Sequence, residues 1–223
     1  DLISNFMDFT AIAENRLAIG RIPSADHSAS ERLKVLLTCH QMLDEVGAST
    51  ALRVRLLREI HRWAEWLADD RNLGVGNHKL MGATSLIYVC ALLADGEGSG
   101  YLKVAEDRIL SLAAQSFDKD GLCNENTIGY HNFNLSLYRK LRTVLANLQI
   151  AEDLRDKIDA LIGRASHALE LCVLPDGKIP PIGDSPRYDL GLPSRDGAFC
   201  FFESGFAVVK RDGLYFSLVC GGR

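Results

Sequence analysis

The sequence predicts a mostly helical fold that ends in antiparallel strands, on three observations. Apolar residues recur at three-to-four spacing through successive segments from about residue 28 to residue 173. The composition then breaks: LPDGKIPPIGDSPRYDLGLPSRDG, residues 174–197, holds five of the six prolines and many turn residues. After it the apolar period falls to two, in GFAVVKR and LYFSLVC, which flank Asp212-Gly213, the dipeptide of a two-residue hairpin turn. Helices first and strands afterwards point to an α+β chain or two domains and argue against alternating βαβ units.

The elements follow in order. Ser28-x-x-Glu31 has the capping-box pattern before RLKVLLTCHQMLDEVG, where Leu33, Leu36, Leu37, His40 and Leu43 form a stripe and Gly47 is a natural stop. STALRVRLLREIHRWAEWLADD can be capped by Ser49, with Leu52, Leu56, Ile60, Trp63 and Leu67 as its apolar face. NHKLMGATSLIYVCALLA is apolar almost all round, so it is expected to be buried. GYLKVAEDRILSLAAQSF, NFNLSLYRKLRTVLANLQI and AEDLRDKIDALIGRASHALELCV complete the helices. GAFCFFE adds a strand before the hairpin. The expected division is helices over 1–174, a connector over 175–196 and the first strands of a β domain over 197–223. Helix pairs with short links suit a bundle, solenoid or toroid, and the lack of a strict repeat weighs against a regular solenoid. The sequence given stops at CGGR, directly after a strand, and a lone hairpin is marginal in water. The β part is therefore expected to continue beyond Arg223. Phe206, Val208, Leu214, Phe216 and Leu218 are expected to need a partner surface.

Bulk composition excludes some classes. The 223 residues are 47% hydrophobic and 24% charged, with a formal net charge of −4, which suits a globular protein able to bury a core. No run of Lys and Arg marks a nucleic-acid footprint. The longest apolar stretch, MGATSLIYVCALLA, is too short to span a bilayer. No signal peptide is visible at the start, DLISNFMDFTAIAENRLAIG. The six cysteines (Cys39, Cys90, Cys123, Cys172, Cys200 and Cys220) include no C-x-x-C pair and no zinc-finger spacing. Buried free thiols are the favoured reading, which leans towards a reducing, cytoplasmic compartment. No metal or cofactor is expected.

Three polar clusters interrupt the helical background. GVGNHKLMG sets Asn77 and His78 at the start of a buried helix. DGLCNENTIGYHNFNL concentrates Glu125, Tyr130, His131 and Asn134 between two helices. PPIGDSPR carries Asp184 and Arg187. Each residue also has an ordinary structural reading. Asn77 can be a helix N-cap, His78 a satisfied helix-end group, Tyr130 a packed core residue, Glu125 a surface charge, and Asp184 with Arg187 a loop ion pair. Cys123 lies near His131, but no cysteine-protease signature surrounds it. The first two clusters each sit at a loop-to-helix junction, one helix apart, so a ring of antiparallel helices would bring them to one end. Amides, an imidazole and a phenol together suit neutralising a substrate carboxylate while a proton moves beside it.

GNHKLMGATSLIYVCALL, DGLCNENTIGYHNFNL, PPIGDSPR and the hairpin, in this order, resemble the heparinase II/III-like family of polysaccharide lyases, which includes relatives of oligoalginate lyases. The resemblance runs from about residue 70 to the end. It implies an incomplete α/α toroid followed by the start of an antiparallel β-sandwich, here as a fragment, and a periplasmic or secreted location. It also implies β-elimination on a uronate-containing acidic polysaccharide or oligosaccharide. On this resemblance Asn77 and His78 match the pair that grips the uronate carboxylate, Tyr130 matches the catalytic tyrosine, and Glu125 and His131 match residues that shape and orient the site. Asn134 and Arg187 complete the substrate-binding set. The sequence departs from the family pattern in one respect. There, a histidine-rich strand segment after the hairpin supplies another catalytic histidine and belongs to a C-terminal β domain that this sequence lacks. His27, His40, His61 and His167 have no matching context. Two other readings stand beside the lyase: a carbohydrate-binding or polysaccharide-export protein on the same fold, and a glycoside hydrolase using Glu125 and Asp184 as paired carboxylates.

Overall fold

The computed structural model describes residues 25–93, 98–125, 127–183, 185 and 188–220. Among them six α-helices are followed by three strands, the order the periodicity predicts. The helices are α1 (Ala25–Glu45), α2 (Thr50–Ala68), α3 (Asn77–Leu92), α4 (Ser99–Ser116), α5 (Ile128–Leu148) and α6 (Glu152–Cys172), with a short 3₁₀ turn at Asp70–Asn72. The strands are β1 (Gly197–Phe201), β2 (Phe206–Arg211) and β3 (Leu214–Val219). The chain divides into two compact units, one ending at Ile109 and the other beginning at Leu110.

In the first unit α1, α2 and α3 pack on one another. The stripe of α1 begins earlier than the sequence reading placed it. Ala25, Asp26, Ala29 and Ser30 are buried ahead of Leu33, Leu36, Leu37 and His40, so Ser28 lies inside the helix and does not cap it. The reason is the continuation of the same buried face by one further turn. Ser49 does cap α2, accepting from the Leu52 N–H, and Leu56, Ile60, Trp63 and Leu67 fill the core beneath it. Small residues bring α3 close to α1, where the buried Ser85 hydroxyl donates to the Ser30 carbonyl. Arg108 of α4, itself buried, donates to the Leu67 and Ala68 carbonyls that end α2, a favourable place for a cation.

In the second unit α5 lies along α6, and the sheet is clasped to the end of α6. The Tyr215 hydroxyl donates to the Cys172 carbonyl at 3.1 Å. The buried Lys210 ammonium donates to the Val173 carbonyl at 3.2 Å and to the Ser194 hydroxyl at 3.0 Å. The strands pair antiparallel in the order β1-β2-β3. Asp212 and Gly213 both adopt positive φ, 52° and 80°, and Arg211 stands opposite Leu214, as a two-residue hairpin requires.

That register corrects one grouping made from the sequence. Val208 pairs with Ser217 and Val209 with Phe216, so Leu214, Phe216 and Leu218 share a face with Ala207 and Val209, not with Phe206 and Val208. Phe206 and Val208 are buried, whereas Leu214, Phe216 and Leu218 are exposed. The two-residue turn makes the face change, because alternation restarts on the opposite side across it.

Candidate functional site

Asn77 and His78 open α3 in the first unit. The N-cap is Gly76, at φ 61°, with no side-chain cap bond, so Asn77 is a first-turn residue and not the cap. Its half-buried amide has no hydrogen-bond partner among the described residues. Among the described residues His78 is held at one nitrogen. Its Nδ1 lies 3.0 Å from Oδ1 of Asp26, a residue 4% exposed on the first turn of α1. Asp26 also accepts the Gly74 N–H at 2.7 Å and the His27 N–H at 2.9 Å. Burial pushes the Asp26 carboxyl upward, but the hydrogen bonds from Gly74, His78 and His27 outweigh it and hold the group below the ordinary carboxylate value. An ionised carboxylate can only accept, so the imidazole proton sits on Nδ1.

The segment from residue 118 to residue 135 belongs to the second unit and is built from the loop outward. Asp118 Oδ1 accepts the Leu122 N–H and closes the turn, while Oδ2 accepts the Ser204 hydroxyl. Gly121, at φ 88°, lets that turn lie on α6. A Cβ there would stand 2.6 to 2.8 Å from the backbone of Arg164 and Ala165. Cys123 pairs with Phe117 as an isolated antiparallel bridge. Thr127 caps α5, its hydroxyl accepting the Tyr130 N–H at 3.1 Å, so the helix starts at Ile128, four residues earlier than the apolar pattern placed it.

His131 is fully buried, and both of its nitrogens are used. Nδ1 accepts the Cys123 N–H at 3.1 Å, and Nε2 donates to the Ala165 carbonyl at 2.8 Å, tying loop, α5 and α6 together. Phe117 meets its ring edge-on with centroids 5.5 Å apart. Burial holds this imidazole neutral, lowering its pKa to about 4. Asn134, also buried, donates to Glu125 Oε1 at 2.9 Å and contacts the Cys123 sulfur at 3.3 Å. Burial raises the Cys123 thiol pKa, which makes it inert.

Tyr130 is different. It is 42% exposed, its ring stands edge-on to the equally exposed Phe133 at 6.3 Å, and its hydroxyl has no partner among the described residues. The alternative of Tyr130 as a core residue is therefore corrected: one residue further round the helix, His131 takes the core position. The third cluster lies against the same helix start. Ser185 Oγ accepts the Gly129 N–H at 2.9 Å, and Asn132 donates to the Tyr188 hydroxyl at 2.8 Å. Asp184 and Arg187 lie outside the described residues.

The structure thus brings Glu125, His131 and Asn134 together around Cys123 and leaves Tyr130 free at the surface beside them. His131 contributes by fixing this arrangement, with neither nitrogen open to a ligand. Sequence reading missed Asp26, Thr127, Ser185 and Tyr188. Asp26 lies 52 residues from His78, and nothing in its local sequence separates it from other helix-start acids. A separate cavity of about 430 Å³, lined by Phe117, Lys119, Lys157, Arg164 and Glu203 among others, includes none of the candidate residues. Among the described residues no group of three His, Cys, Asp or Glu side chains could hold a metal ion. No described helix is long and apolar enough to cross a membrane.

Comparison with known proteins gives consistent results. The sequence model described as "Heparinase II/III N-terminus" matches residues 28–196. No curated protein matches the sequence. Among solved structures, a heparinase III gene product superposes with a TM-score of 0.62 at 18% identity, covering 81% of this chain and 33% of that one. A mutant of the heparan sulfate lyase HepC from Pedobacter heparinus gives a TM-score of 0.62 at 18% identity, covering 75% of this chain and 26% of the other. A further heparinase III gives 0.53 at 15% identity, over 72% and 26%. At these identities the likeness is one of fold. The chain spans about a third, or less, of the length of each of these structures.

Proposed function

The chain belongs to the heparinase II/III N-terminus family, and on that premise we propose that it is the helical part of a polysaccharide lyase that cleaves a uronate-containing acidic glycan by β-elimination. The observation that carries this reading is Tyr130: an exposed phenol with no described partner, set by a capped helix start on a scaffold that buries its neighbours. A phenol so placed can protonate a departing glycosidic oxygen.

The chemistry assigns each group one task. The C5 proton of a uronate leaves only when charge building on the adjacent carboxylate is neutralised, and hydrogen bonds that strengthen as that charge develops lower the barrier. Asn77, whose amide has no partner among the described residues, and His78, whose Nε2 has none either, are assigned to that carboxylate, His78 as the imidazolium that donates from Nε2 while Nδ1–H stays on Asp26. Tyr130 is assigned to the leaving oxygen. Glu125 and Arg187 are assigned to substrate contacts, and His131 and the buried Asn134 to holding the frame around Glu125.

The test is to incubate the native protein with a heparan-type or alginate-type uronate glycan and follow two signals: the ultraviolet absorbance of the unsaturated uronate, and new reducing ends. Elimination produces both in step. Reducing ends without the absorbance would replace this reading with hydrolysis. Binding without either signal would replace it with a carbohydrate-binding protein.

A further inference from the structure

The side chain that decides how His78 meets a ligand lies on another helix. Asp26 is almost fully buried on α1, yet it is a carboxylate, and such burial is costly unless every oxygen is satisfied. Here both are: Oδ2 takes the Gly74 N–H, and Oδ1 takes the His27 N–H together with His78 Nδ1. The site is shaped to keep this contact short. A Cβ on Gly74 would stand 3.1 Å from Asp26 Oδ2 and 3.7 Å from His78 Nδ1, closer to the oxygen than side chains normally pack. His27 meets the His78 ring edge-on, with centroids 5.9 Å apart. A buried carboxylate so fully engaged has little freedom to move, and the imidazole it holds has little freedom to rotate. His78 itself keeps 30% of its side-chain surface open. One face of the ring system is fixed and the other is available.

We propose that Asp26 is a positioning residue for His78, accepting its Nδ1–H so that Nε2, when it too carries a proton, is turned towards an anionic substrate group. The proposal rests on the reading in which His78 meets a uronate carboxylate, but the Asp26 assignment has a readout of its own. A carboxylate orienting an imidazole whose other nitrogen does the work is a general arrangement, and its value lies in fixing tautomer and ring angle. Asp26→Ala removes the acceptor, so the His78 ring loses both the hold on its Nδ1–H and the contact that fixes its angle.

The experiment is long-range ¹H–¹⁵N correlation NMR of the native protein at pH about 9, above the ordinary imidazole range, with His78 assigned by comparison with His78→Gln. The expected result is Nδ1–H in the wild type and loss of that preference in Asp26→Ala, with the elimination rate on a uronate glycan falling about 10- to 100-fold in the variant. A wild-type His78 protonated at Nε2 overturns the proposal and needs no folded variant to show it. A lost Nδ1–H preference with an unchanged rate overturns the positioning role. A wild type that shows Nδ1–H but eliminates no uronate sinks the lyase reading while upholding the Asp26 assignment.

Discussion

His131 and His78 are both imidazoles in the first turns of a helix, and the structure uses them in opposite ways. His131 is sealed in the core of the second unit, with one nitrogen on Cys123 and the other on Ala165. His78 in the first unit is held by Asp26 at one nitrogen and has no partner among the described residues at the other. The difference teaches that residue type and helix position do not separate scaffold from working group. What separates them is how many of the side chain's polar atoms the fold has already consumed. Asn134 and Asn77 divide the same way, the first spent on Glu125 and Cys123 and the second unspent among the described residues.

The sharpest break in this comparison is to remove the sealed imidazole. His131→Phe keeps the bulk but leaves the Cys123 N–H and the Ala165 carbonyl buried and unpaired. The expected loss is about 4 kcal/mol, seen as a melting point roughly 10 °C lower. His78→Gln gives up the bond to Asp26 but leaves the Gly74 and His27 bonds in place, and is expected to cost only about 1.5 kcal/mol. Equal losses for the two would erase the distinction.

Acid gives the second test. The folded-state pKa of His131 is depressed to about 4, below the ordinary imidazole value of about 6.5 that it regains on unfolding. The unfolded chain therefore takes up the proton first. Stability from this group is fully present above pH about 6.5 and is lost as the pH falls towards about 4, by about 3 kcal/mol in total. Denaturant titrations across that range should show the gap between wild type and His131→Phe closing with acid. A gap that stays constant would mean that burial does not keep this imidazole neutral.

A smaller effect is expected at Asn134. Asn134→Leu removes the donor that holds Glu125 while keeping the buried volume, at a cost of about 1–2 kcal/mol. Smaller still is Asn77→Ala. Because Gly76 and not Asn77 is the cap, the loss should stay under about 0.5 kcal/mol, against about 1 kcal/mol for a true cap. Chemical denaturation of the two variants side by side checks both values.

Much of the fold was legible in the sequence because periodicity reports burial directly. The stripe Leu56, Ile60, Trp63 and Leu67 and the Asp212-Gly213 turn both appear where the pattern puts them. The start of α5 was not, because it is set by a threonine cap rather than by apolar spacing, and the buried face of α1 runs past Ser28 through Ala25 and Asp26. The face change at the hairpin needed the register, which follows from turn length and not from the strands alone. In the candidate region the residue types were visible but their division of labour was not. That Tyr130 points out while His131 points in depends on one helical step, fixed by Thr127 and by the backbone of α6. Asp26 reached His78 only through tertiary structure.

The measurement that tests the account most directly is a paired reading of melting temperature and elimination rate for Tyr130→Phe in the native protein. The hydroxyl has no described partner, so the melting temperature should not change, while turnover on a uronate glycan should fall about 100-fold or more. A natively folded Tyr130→Phe that keeps the wild-type rate would contradict the assignment of the exposed phenol as the proton carrier.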